Sequence, residues 1–151
     1  MSINQMDNNA TITKVLYLDD DIMMLENFKL LFKNNFSIKI TDNVNDARKI
    51  LENEEIEIII CDQRMEETTG VEFFTEIIKK HPNPIRILLT AFTDVDVIID
   101  AINYGHIYQY IRKPFIYNEM KEVLFNASKL YHLRKDKNLE TIDASQTSDA
   151  E

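Results

Sequence analysis

One cysteine, two glycines and three prolines are few for 151 residues, and each shortage closes off a class of function. Cys61 has no second cysteine to pair with, and His81, His106 and His132 stand at no metal-ligand spacing from it, so neither zinc nor thiol chemistry is expected. Gly70 and Gly105, with Pro82, Pro84 and Pro114, leave no linker-like stretch inside the chain, and there is no internal repeat. No run approaches the roughly 18 consecutive apolar residues of a membrane span. The start, Met1-Ser2-Ile3-Asn4-Gln5, also lacks the charged and apolar regions of a signal peptide. A cytoplasmic protein without a membrane partner is expected. Positive charge is short as well: 17 Lys and Arg against 26 Asp and Glu give a net charge of −9. That balance opposes direct binding of nucleic acid or anionic lipid and suits a basic partner or a divalent cation.

What is present is a globular balance, 44% hydrophobic with 28% charged, enough for one compact core. Residues 1–13 are polar and aperiodic and read as a flexible segment. Residues 14–135 form the ordered unit. From 136 to 151, with Ser145-Gln146-Thr147-Ser148-Asp149, the chain reads as a polar acidic tail, either disordered or a linker remnant.

Five short β-rich runs alternate with helical patterns in the ordered unit: Lys14 to Leu18, Ser37 to Thr41, Glu57 to Cys61, Ile85 to Leu89 and Ile107 to Ile111. Between them Leu25, Phe28 and Phe32 recur at helical spacing, as do Val44, Ala47 and Leu51, then Phe74, Ile77 and Ile78, then Val95, Ile98, Ile99 and Ile102. A last helix carries Met120, Val123, Leu124, Ala127, Leu130 and Tyr131. Such alternation implies right-handed crossovers and a parallel sheet with helices on both faces. Ile58-Ile59-Ile60-Cys61 need not alternate, because a central parallel strand is buried on both sides. His81-Pro82-Asn83-Pro84 must stop a helix, Gly105 is placed to end the fourth, and Thr93 with Asp96 resembles a capping box. The fold class is therefore α/β, a flavodoxin-like (βα)5 doubly wound sheet with strand order 2-1-3-4-5.

In open α/β sheets ligands bind beyond the carboxyl ends of the strands. There the chain places Asp19-Asp20-Asp21, Asp62, Thr90-Ala91 and Lys113-Pro114 after the first, third, fourth and fifth strands. Taken singly, each has a bland reading: a solvated turn opening a helix, a loop acid, a strand-end hydroxyl, a surface cation. Together they describe one site. Neighbouring carboxylates repel unless a cation compensates, and Mg²⁺ is commonly held by one or two carboxylates plus phosphate oxygens. Asp20 and Asp62 are candidate ligands, with Asp19 as an outer contact and Arg64 offering its backbone carbonyl.

Across roughly residues 14 to 130 the sequence resembles the receiver domains of two-component response regulators. The matching pieces are Val15-Leu16-Tyr17-Leu18-Asp19-Asp20-Asp21, Ile60-Cys61-Asp62-Gln63-Arg64-Met65 followed by Gly70-Val71-Glu72-Phe73, Ile87-Leu88-Leu89-Thr90-Ala91, and Lys113-Pro114-Phe115. Asp62-Gln63-Arg64-Met65 and Ala101-Ile102-Asn103-Tyr104-Gly105 through Tyr110 look like a subset often attached to transcriptional activators or cyclic-nucleotide-signalling enzymes.

The resemblance implies that Asp62 is the phosphoacceptor, receiving its phosphoryl group from a sensor histidine kinase or phosphotransfer protein, or from a small phosphodonor. It further implies Mg²⁺ at Asp19, Asp20 and Asp62, Lys113 paired with a phosphoryl oxygen, and Thr90 bonded to another. Tyr110 would then turn into space that Thr90 vacates. The Lys113-Pro114 bond is expected to be cis, and a homodimer through the fourth helix, fifth strand and fifth helix is expected as an option.

Departures from the family pattern carry expectations of their own. Glu66 replaces a common proline and is expected to loosen the loop from Met65 to Thr69. Arg64 and Phe92 stand where they would hinder a hydrolytic water, so self-dephosphorylation is expected to be slow. Cys61 should point away from the pocket as a buried thiol.

Two other functions remain at this point: a pseudo-receiver that binds partners without phosphorylation, and a Mg²⁺-dependent phosphohydrolase. The second usually needs an acid two residues after the nucleophile; Asp62 is followed at that spacing by Arg64, and Asp19 by Asp21 but without the expected following residues.

Overall fold

The computed structural model describes residues 12–91 and 95–149, with side chains to residue 138. The expectations for a flexible start over residues 1–11, for Phe92 and for a cap at Thr93 lie outside the described residues. Five strands, β1 (Lys14–Leu18), β2 (Ser37–Thr41), β3 (Ile58–Asp62), β4 (Ile85–Thr90) and β5 (Gln109–Arg112), alternate with five helices. The helices are α1 (Ile22–Phe32), α2 (Val44–Asn53), α3 (Gly70–Ile77), α4 (Val95–Asn103) and α5 (Tyr117–Asp149).

The strands form one parallel sheet in the order β2-β1-β3-β4-β5. Successive side chains of a strand leave opposite faces. Val15 and Tyr17 of β1 therefore join Ile58, Ile60, Ile87 and Leu89 in a core closed by Phe28, Phe32, Met120, Leu124 and Ala127 of α1 and α5. Leu16 and Leu18 join Ile59, Cys61 and Leu88 in a second core closed by Val44, Ala47, Leu51, Phe73, Phe74, Ile98 and Ala101 of α2, α3 and α4. All five residues of β3 and all six of β4 are buried, as central strands between two helical layers must be.

Local chemistry sets the helix ends. The Asp21 side chain accepts from the backbone N–H groups of Met23 and Met24, Asn43 accepts from Asp46, and Thr69 accepts from Glu72, satisfying donors that the first helical turn leaves open. Gly105 ends α4 with φ of 76°, a left-handed conformation that favours glycine.

Two expected boundaries shift by more than one residue. Ile107 was expected inside the fifth strand, but the N–H groups of His106 and Ile107 both turn back to the Ala101 carbonyl, closing α4, so β5 starts at Gln109. The polar tail expected from residue 136 is instead a continuation of α5 to Asp149. No glycine or proline lies beyond Pro114 to stop it. Its body is tied down where the Tyr131 hydroxyl and the Lys135 ammonium both donate to Glu55.

Candidate phosphoacceptor site

The carboxyl ends of β1, β3, β4 and β5 bring four of the expected side chains to one edge of the sheet. Asp19 follows β1 and is almost wholly buried, at 1% exposure. Its Oδ2 accepts from the Tyr17 hydroxyl at 2.7 Å and from Lys113 Nζ at 2.9 Å, and its Oδ1 accepts from the Asp21 backbone N–H at 2.9 Å. The same Lys113 ammonium lies 3.1 Å from Oδ1 of Asp62, the last residue of β3. One cation thus bridges two buried carboxylates from separate strands. Thr90 ends β4, is buried, and accepts the Lys113 backbone N–H at its carbonyl over 2.7 Å. The Lys113-Pro114 bond is cis, as expected.

Burial pushes the Asp62 carboxyl above the usual carboxylate range, and the Asp19 charge adds to this, while Lys113 opposes it. For Lys113, burial alone would favour the neutral amine. The hydrogen bond and charge of Asp19, with Asp62, outweigh it, and the net shift is upward. Tyr17, buried beside Asp19, is driven far up, so its hydroxyl remains a donor. The pocket therefore holds a carboxylate with an unfavourable charge and a firmly protonated ammonium beside it.

The β3–α3 connection is closely built. Gly70 opens α3 so near to β3 that an added Cβ would lie 2.5 Å from Leu88 Cδ1 and 2.6 Å from the Asp62 carbonyl oxygen. Gln63 is buried; its side-chain oxygen accepts from Val71 N–H and its backbone oxygen from Gly70 N–H. Arg64 forms a bridge with Thr69, and Met65 packs on the second core. Glu66 instead adds a contact to this loop. Its backbone N–H, a donor that proline would lack, reaches Asp20 Oδ2 at 3.0 Å.

Other candidates stand further out. Asp20 is exposed beside the buried pair. Tyr110 lies on the edge strand β5, opposite Leu88, and is 40% exposed, its neighbour Tyr108 being similarly open. Cys61 is buried in the second core, with its thiol pushed up by burial. Tyr17, Gln63 and the Glu66 amide are site elements that the motif reading passed over. The Tyr17 contact was open to inference, since residues two apart on a strand share a face.

Among the described residues, no three acidic, histidine or cysteine side chains converge as a ready-made metal cage. The donor chemistry nonetheless fits Mg²⁺, which takes hard oxygens and retains several waters: Asp19 and Asp62 already share a cation, and Asp20 is open to solvent.

A family model for the response regulator receiver domain matches residues 15–125. The chain belongs to this family. It is 32% identical over 134 residues to the hydrogenase transcriptional regulatory protein HoxA of Bradyrhizobium diazoefficiens, covering 89% of this chain and 28% of that protein. Among solved structures, the signal receiver domain of an HD domain-containing protein from Pseudomonas fluorescens Pf-5 aligns with a TM-score of 0.77 at 26% identity, over 85% of this chain and 98% of that one. A response regulator receiver domain protein from Clostridium thermocellum aligns with a TM-score of 0.75 at 28% identity, over 81% and 98%. The receiver thus spans just over a quarter of the length of the regulatory protein it matches. Its membership makes it a phosphoacceptor signalling module of two-component systems. No helix among the described residues is long and apolar enough to cross a membrane.

Proposed function

We propose that Asp62 takes a phosphoryl group from the phosphohistidine of a sensor kinase or phosphotransfer protein, or from a small acyl phosphate. An Asp62 oxygen forms a bond to phosphorus as the donor's P–N or P–O bond breaks, and the donor keeps that electron pair. The carboxylate needs no general base, so the barrier lies in bringing anion to anion. The observation that carries the reading is the Lys113 ammonium held between Asp19 and Asp62, a positive charge placed where phosphoryl oxygens would arrive. Mg²⁺ at Asp19, Asp20, Asp62 and the Arg64 carbonyl would supply further charge neutralisation when bound. Thr90 would hydrogen-bond the phosphoryl group. In this reading the chain promotes its own phosphorylation and dephosphorylation and turns over no other substrate.

The signal leaves through α4, β5 and α5. Val95, Ile99 and Ile102 are exposed along α4, with Tyr108 and Tyr110 beside them, which suits a face that meets a target or a second copy. Tyr110, turned outward, would swing toward Thr90 on phosphorylation, a two-position element that the pocket biases. Arg64, exposed two residues after Asp62, would impede a hydrolytic water and prolong the phosphorylated state. The receiver unit is taken as residues 14–135, acting in the cytoplasm.

Beryllofluoride with Mg²⁺ tests the reading. Amide resonances of Asp62, Thr90 and Tyr110 are expected to shift together, and an unchanged spectrum would leave a binding module that is not switched by phosphorylation.

A further inference from the structure

The Glu66 amide makes a contact at the site that proline, a common residue of the family at this position, would delete. We infer that this backbone N–H is a positioning group for Mg²⁺, holding the Asp20 carboxylate ready to receive the ion; the inference rests on the phosphoacceptor reading above. Asp20 is exposed, and an exposed carboxylate samples several rotamers unless something fixes it. Glu66 N–H donates to Oδ2 at 3.0 Å, leaving Oδ1 for a metal. A hydrogen bond from a neutral donor to a charged acceptor is among the stronger kinds, and carboxylates that ligate metals are commonly oriented in this way.

The donor itself is well anchored. Met65 on one side packs against the second core, and the bridge between Arg64 and Thr69 closes the loop around it. The bond thus joins the loop after β3 to the acid after β1. The Glu66 side chain is a separate matter, since it is exposed and contributes charge rather than this bond.

Two variants separate amide from charge. Glu66→Gln keeps the N–H and removes the charge; Glu66→Pro removes both. Mg²⁺ titrations followed by amide chemical shifts are expected to give wild type and Glu66→Gln dissociation constants within about threefold of each other, with Glu66→Pro weaker by about tenfold. In wild type the Glu66 amide resonance itself is expected to move along the same binding curve, a measurement that does not depend on the proline variant folding. Equal affinity of the proline and glutamine variants, or a Glu66 amide indifferent to Mg²⁺ that the Asp62 amide senses, would overturn the inference. Absence of Mg²⁺ binding by wild type would instead remove the reading on which it rests.

Discussion

Asp62 sits in surroundings that favour the neutral acid, because burial and the Asp19 charge together outweigh Lys113. An acid whose folded pKa lies above its ordinary value binds more protons when folded, so stability falls as pH rises from the ordinary value of 3.8 through the folded one. Above the folded value the whole penalty is in force. Asp62→Asn is therefore expected to stabilise the receiver at pH above the folded value, an advantage that shrinks on acidification through the carboxylate range. Thermal unfolding across that range checks it, and a variant less stable than wild type at neutral pH would show that the Lys113 pairing dominates. At this scale the motifs identified Asp19, Asp62, Thr90 and Lys113 because strand ends in a parallel sheet converge. They did not reveal that the ammonium serves both carboxylates at once, since that depends on side-chain reach rather than on position along the chain.

The elements were legible wherever hydrophobic period and punctuation agreed. Five strands and five helices follow from alternating patterns, and Asp21, Gly70 and Gly105 stand at their joints. The end of α5 was not legible, because polarity marks both a solvated helix and a tail, and the anchoring of its body by Glu55 is a long-range contact. Gly70 shows how tightly one joint is set. Gly70→Ala must push α3 away from Leu88 and the Asp62 carbonyl, and is expected to cost about 2 to 3 kcal/mol and to slow phosphorylation, measured by denaturant unfolding and by labelling rate. A second joint rests on Arg86, buried in β4. Its guanidinium donates to the carbonyls of Pro82, Pro84, Gly105 and His106, tying the loop before β4 to the loop before β5. Periodicity alone cannot distinguish this arginine from a strand-end surface cation. Arg86→Met is expected to lose about 3 kcal/mol and to broaden the resonances of residues 104–108, because several charge-assisted bonds disappear together. Unchanged stability would mean that those carbonyls are served equally well by water.

On the scale of the whole molecule, two cores sandwich the sheet, and the Asp19–Lys113–Asp62 cluster lies at its carboxyl edge. The exposed apolar residues of α4 and the tyrosines of β5 lie on one flank, while the Glu55 ties of α5 lie at the opposite end of the sheet from Asp62. Such a layout suits a switch that alters a surface and keeps its frame. With a net charge of −9, a divalent cation, if bound, would also relieve charge repulsion across that frame. The most direct measurement is intact mass after incubation with acetyl phosphate, with Mg²⁺ or with a chelator, for wild type and Asp62→Asn. The expected result is gain of one phosphoryl group by wild type only when Mg²⁺ is present, and none by the variant. Labelling that survives chelation or the loss of Asp62, or a wild type that stays unlabelled with Mg²⁺, would contradict it.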